Sequence, residues 1–266
     1  MRLKQFAAAA CLLACLAAPP ALAQPAPAAA APLADPALIA DLVAGSRILA
    51  DLGVVDAFGH LTVRSPTNPN HFLMSRSLAP ALVTADDIME FDFDGNAIDP
   101  RGRAVFLERF IHAEIYRARP DVQAVVHSHS PGVIPFGAST TKLQAMYHNA
   151  AFLAGGVPIF DIRAAAGDTD MLVRNSALGA ALAATLGDKP VALMRGHGDV
   201  AVGPDIPTAV FRAYYTDVGA RLQMQAIALG GTITFLDAEE GRKADLVNGQ
   251  ILPRAWNLWK QKVGSH

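Results

Sequence analysis

Beyond Pro36 the chain switches repeatedly between a helical hydrophobic period and a period of two, and this alternation most restricts the folds open to it. Residues 36–52 carry Leu38, Ile39, Leu42, Val43, Ile48 and Leu49 as one apolar stripe, with Gly53 where a helix end favours positive φ. From Gly59 the period falls to two through Leu61 and Val63. A second strand is expected at 71–74 and a third at 88–93, stopped by the Asp94-Gly95 turn, with a capped turn at 83–87 between them. Residues 106–119 predict an amphipathic helix burying Phe106, Phe110, Ile111 and Ile115. Residues 122–126 are apolar almost throughout and run directly into His127-Ser128-His129. Further helices are expected at 131–137, 149–153 and 169–186, and strands at 157–160, 191–194 and 200–202, the last two joined at Gly196-His197-Gly198. Residues 207–229 read as the longest helix, closed by Gly230-Gly231, and no internal repeat is visible. Alternating strands and helices with several hairpins indicate an α/β fold: a three-layer α/β/α domain around a mixed, largely antiparallel sheet.

The first 36 residues obey different rules. Arg2 and Lys4 precede an apolar run from 6 to 18, and Ala21-Leu22-Ala23 forms a small-x-small cleavage site before Gln24. That is the layout of a secretory signal peptide over residues 1–23, too short for a membrane span, and it implies export to the periplasm or beyond. A competing reading takes residues 12–15 as a lipobox that would acylate Cys15. Residues 24–36 are dominated by Ala and Pro and read as a tether, leaving 37–266 as the folded domain. Both cysteines, Cys11 and Cys15, depart with the leader, so a disulfide is excluded from the mature chain and any metal site must use His and carboxylates. Loss of Arg2 and Lys4 takes the formal charge from −2 to −4. No basic stripe suggests nucleic acid, and no second apolar segment approaches membrane length.

Chemistry concentrates in three places. Side chains at i and i+2 of a strand share a face, so His127 and His129 can converge on a metal that wants nitrogen donors at about 2.0–2.1 Å. Hydrogen-bonded caps at a strand end are the plainer explanation of the same spacing. His197, set between two glycines after an apolar strand, is the natural third ligand, although an isolated Gly-His-Gly is often only a turn. Three histidines with an open position make the usual catalytic zinc arrangement. Glu108 is expected on the helix before the His127 strand, on one face with His112. It is either a general acid/base or temporary metal ligand, or a partner for Arg109. His112 reads as a supporting or packing residue rather than a ligand.

At these residues the chain resembles class II aldolase/adducin-type domains over roughly residues 40–231. The resemblance rests on an ordered set: Gly59-His60-Leu61-Thr62-Val63-Arg64, Asp92-Phe93-Asp94-Gly95-Asn96, the stretch 108–112, the run 119–129, and Arg195-Gly196-His197-Gly198. It implies that His127, His129 and His197 hold Zn²⁺, or alternatively Mn²⁺ or Fe²⁺, that Glu108 is catalytic, and that the substrate is a small molecule. It also implies a homotetramer with sites between subunits and a tyrosine from the neighbour, for which Tyr147 lies in the right segment. The sugar-phosphate aldolases of the family bind phosphate through a hydroxyl-rich loop and a Ser-Ser pair. Here those stretches are Met74-Ser75-Arg76-Ser77 and Phe106-Leu107, and His60 stands where an asparagine is usual. Phe-Leu offers no hydroxyls, which argues against a phosphorylated substrate. The pattern is more similar to a branch of aromatic-dicarboxylate decarboxylases, such as the hydroxymethylpyridine dicarboxylate enzyme, with Arg76 and His60 as candidates to bind a substrate carboxylate. The expectation is a metal-dependent carbon–carbon lyase, a decarboxylase or aldolase. A non-catalytic adducin-like domain, a periplasmic metal-binding protein and an Fe(II) oxygenase on the same fold are the alternatives.

Overall fold

The computed structural model describes residues 33–264. The leader, Cys15 and most of the tether lie outside the described residues. The apolar run before His127 forms β4 (Ala124–Ser128), a fully buried strand near the middle of a seven-stranded sheet. Its neighbours are β1 (His60–Arg64) on one side and β7 (Gly198–Gly203) on the other, both antiparallel. Outward from β1 lie β2 (His71–Ser75) and β3 (Ile88–Asp92), and outward from β7 lie β6 (Val191–Met194) and β5 (Ile159–Phe160). Only the β5–β6 pair is parallel, so the sheet is mixed and largely antiparallel, as expected.

Strand alternation divides the core in two. Leu61, Val63, Ala124, Val126 and Ala201 face α1 (Pro36–Asp51) and α6 (Ile206–Leu229). Val125, Val200 and Val202 face the other way, among residues of α2 (Arg109–Ala118) and α5 (Ser176–Leu186). Two short helices, α3 (Ile134–Gly137) and α4 (Arg163–Ala166), lie in the connections. Apolar side chains thus leave the sheet on both faces and are covered by helices on both, which is the three-layer arrangement.

Three expectations need correction. The helix expected from residue 106 begins at Arg109, and Glu108 is its N-cap residue rather than part of its face. The helix expected from 169 begins at Ser176, where the Asn175 side chain accepts the Leu178 N–H; residues 169–175 are a loop. The longest helix is not α6, with 24 residues, but α7 (Ala238–Gly264), with 27. Its charged start, Gly241, Gly249 and internal Pro253 conceal it in the sequence. Tertiary packing supplies what propensity lacks: Trp256, Trp259 and Val263 are buried, and Asn248 Nδ2 donates to the His148 carbonyl at 2.6 Å.

Candidate metal centre and its cavity

His127 occupies the fourth position of β4, on the face it shares with Val125, and is completely buried. Its Nδ1 lies 3.0 Å from the main-chain oxygen of Asp199 on β7. A carbonyl can only accept, so Nδ1 carries the proton and Nε2 is left with a free lone pair. His129 follows just past the end of β4, with its Nε2 3.1 Å from His127 Nε2. His197 sits on the β6–β7 turn, with its Nε2 3.0 Å from His129 Nε2. Both flanking glycines are needed there. Gly196 has φ +64°, a left-handed conformation, and a Cβ on Gly198 would collide with the Ser128 carbonyl oxygen.

Glu108 completes the group from the end of α2. Its Oε1 accepts the Val173 N–H at 2.9 Å, which leaves Oε2 3.5 Å from His127 Nε2 and 3.4 Å from His197 Nε2. One potential ligand atom from each of the four residues lies within 4.8 Å of the others. Burial alone would raise the Glu108 carboxyl, but the neighbouring His127 and His197 rings outweigh it and hold the group well below the usual carboxylate range. Burial, then the neighbouring His127 and His197, pushes His129 down to about 4. At neutral pH His129 therefore has a lone pair to offer.

These residues fit a divalent cation. Nitrogen donors about 2.0–2.1 Å from a tetrahedral ion lie roughly 3.3 Å apart, close to the spacing here. Three imidazole edges cannot all satisfy one another, since His127 Nε2 has no proton to give. His197 Nδ1 is the one buried side-chain polar atom without a partner among the described residues. Nothing inside the chain compensates the burial of that ring except what meets its other nitrogen.

The cluster borders a cavity of about 550 Å³, whose lining includes His60, Glu108 and His129. Phe58, Leu78, Val105, Phe106 and Leu107 make its apolar walls. Phe58 stacks on His129 at 6.2 Å between centroids, and Phe106 packs on His60 at 4.6 Å. No Lys or Arg is among the lining residues.

The other sequence candidates separate. His60 pairs with His127 in the β1–β4 register and reaches the cavity. Arg76 does not: its Nε donates to Asp87 Oδ1 at 2.6 Å, so the guanidinium expected to grip substrate instead ties β2 to the turn before β3. Tyr147 packs against Tyr215 and His148 rather than among the lining residues of this cavity, with its hydroxyl accepting from Asn149 Nδ2 at 2.7 Å. His112 is fully buried and is not a ligand; its two nitrogens contact His60 and Thr62. Burial, with the neighbouring histidines adding to it, drives His60 and His112 well below the ordinary imidazole range.

Sequence reasoning missed three contributors. Thr62 was legible as the residue sharing a strand face with His60, and Tyr116 as the one a helical turn beyond His112. The Val173 N–H had no signal, because its loop reads as helix.

Residues 40–224 match the family described as Class II Aldolase and Adducin N-terminal domain. The chain belongs to this family. It is 37% identical over 244 residues to Decarboxylase tropJ of Talaromyces stipitatus, covering 83% of this chain and 92% of that one. A 3,4-dihydroxyphthalate decarboxylase of Arthrobacter keyseri is 31% identical over 226 residues, 79% of this chain and 87% of the relative. Among solved structures, L-fuculose 1-phosphate aldolase from Glaciozyma antarctica superimposes with a TM-score of 0.71 at 29% identity, over 85% of this chain and 88% of that one. Membership of the class II aldolase and adducin family, with decarboxylases among its relatives, supports a lyase-type function. Among the described residues no helix is long and apolar enough to cross a membrane.

Proposed function

We propose that the chain is a metal-dependent decarboxylase of a small, non-phosphorylated aromatic carboxylate that carries a neighbouring hydroxyl. One observation carries this reading: a three-imidazole, one-carboxylate cluster opens into a slot walled by Phe58, Phe106 and Leu107. The cluster suits the substrate's oxygens, and the apolar walls suit the faces of a ring. The two decarboxylases similar to this chain over most of its length support carbon dioxide loss over aldol cleavage. The Phe106-Leu107 wall, which offers no hydroxyls, weighs against a phosphate.

His127, His129 and His197 would hold the cation, of the zinc or manganese type. When bound, it would withdraw electrons from a substrate oxygen and so stabilise the charge left on carbon. Glu108, ionised in the resting site, takes the hydroxyl proton of the incoming substrate and returns it to the carbon that loses carbon dioxide. The product phenolate then recovers a proton from water. The Val173 N–H holds the carboxylate so that Oε2 keeps facing the histidines. The apolar walls keep water away from the carbanion-like carbon.

The test is incubation of the Zn²⁺- or Mn²⁺-loaded protein with 3,4-dihydroxyphthalate and, separately, with L-fuculose 1-phosphate. Release of carbon dioxide and the monocarboxylate from the first alone is expected. Cleavage of the sugar phosphate alone would overturn the reading.

The leader pattern and the resemblance support two further proposals: residues 1–23 are removed on export, and a tetramer brings Tyr147 to a neighbour's site. The N-terminal mass of periplasmic protein tests the first, and sedimentation with Tyr147→Phe kinetics tests the second.

A further inference from the structure

Behind the cavity wall runs a hydrogen-bond chain that metal binding does not require. Tyr116 OH is 2.8 Å from Thr62 Oγ1, Thr62 Oγ1 is 2.8 Å from His112 Nδ1, and His112 Nε2 is 2.7 Å from His60 Nδ1. All four side chains are buried. The competing acceptors decide which way the protons point. Tyr116 could instead donate to the Gln123 carbonyl and Thr62 to the Val125 carbonyl, but both oxygens are 3.5 Å away, at the limit of a hydrogen bond. The short contacts win. Tyr116 donates to Thr62, Thr62 donates to His112 Nδ1, and the His112 Nε2–H donates to His60 Nδ1.

His60 is then left with its proton on Nε2. Among the described residues that nitrogen makes no hydrogen bond, yet it is not among the buried atoms lacking a partner. It therefore opens on the cavity that His60 helps to line. With no Lys or Arg in that lining, this N–H is a rare donor for an anionic substrate oxygen.

We propose that His60 is a fixed hydrogen-bond donor to a carboxylate or phenolate oxygen of the substrate, with His112, Thr62 and Tyr116 as positioning residues that set its tautomer. The substrate's class rests on the decarboxylase reading above; the direction of the chain does not. Run the other way, the same residues would present a bare nitrogen and select a substrate hydroxyl.

The test uses the full chain with Zn²⁺ added, ¹⁵N-labelled in histidine, and phthalate as the probe. The expected spectrum shows a neutral His60 protonated on Nε2 and bare on Nδ1, with the Nε2 signal shifting when phthalate binds. Thr62→Val removes the link, should scramble the tautomer and should weaken phthalate binding about twofold, the share of His60 left in the wrong form. Thr62→Ser should restore both at unchanged metal content. A neutral His60 carrying its proton on Nδ1 overturns the proposal, as does a Thr62→Val protein with unaltered tautomer and affinity. If Thr62→Val does not fold, the wild-type spectrum decides alone. Failure of the decarboxylase reading is separate: no carbon dioxide from 3,4-dihydroxyphthalate, whatever the tautomer.

Discussion

Two groups of histidines share one face of the sheet, with the rings of His60 and His127 only 5.1 Å apart, yet they meet opposite fates. In the His127, His129 and His197 group, the Nε2 of His129 lies 3.1 Å from that of His127 and 3.0 Å from that of His197, and the inward carboxylate comes from Glu108. In the His60 and His112 pair, three of four ring nitrogens are consumed by hydrogen bonds that lead away into the core. The contrast shows that proximity and burial do not make a metal site. What matters is where the other nitrogen of each ring is spent. A carbonyl on His127 Nδ1 turns the Nε2 lone pair toward the cluster, whereas a hydroxyl and an imidazole on either side of His112 leave it nothing to offer an ion.

The largest effect should come from breaking the first group alone. His127→Ala is expected to weaken metal binding by at least about 100-fold, because loss of even an outer partner of a ligand costs 10–100-fold. His112→Asn should leave metal stoichiometry intact. Metal analysis after dialysis against a weak chelator distinguishes them, and equal losses would erase the contrast.

Glu108→Gln separates holding the ion from moving the proton. The amide keeps the shape and can still accept from the Val173 N–H, so metal should be retained while kcat falls by roughly 10²–10⁴-fold. Wild-type turnover in this variant would remove Glu108 from the reaction.

The smallest effect concerns the arginine that the site leaves out. Asp87 accepts from Arg76 and from the Thr84 backbone and hydroxyl. Burial pushes its carboxyl up, but these bonds outweigh it and set the folded pKa below the ordinary value. A depressed folded pKa means that the stabilisation is fully present above the unfolded value near 4 and is lost as pH falls through the folded one. Asp87→Asn should therefore cost about 1 kcal/mol at pH 7, discounted for the partly exposed arginine, and less below pH 4. Metal content should not change. Urea unfolding at both pH values checks it; a loss of metal would return Arg76 to the site.

Much of the architecture was legible because the hydrophobic period is a local property. The stripe of α1, the alternation through Leu61 and Val63 and the apolar run of β4 each announce an element without reference to anything distant. α7 was not legible, since its glycines and Pro253 oppose a helix until Trp256 and Trp259 find the core. The start of α5 was misjudged for a related reason: loop residues 169–175 look helical in isolation, but the Val173 N–H goes to Glu108 across the molecule.

The sequence alone determined the three-layer class and nominated His127, His129 and His197, because side-chain periodicity and ligand chemistry are carried by residue type and spacing. Only the tertiary structure placed Glu108, nominated with them, beside all three, paired Arg76 with Asp87, and linked His60 back to Tyr116. Those outcomes depend on which donor meets which acceptor between strands and helices far apart in the chain, and local sequence does not encode the direction in which a side chain's last free atom points.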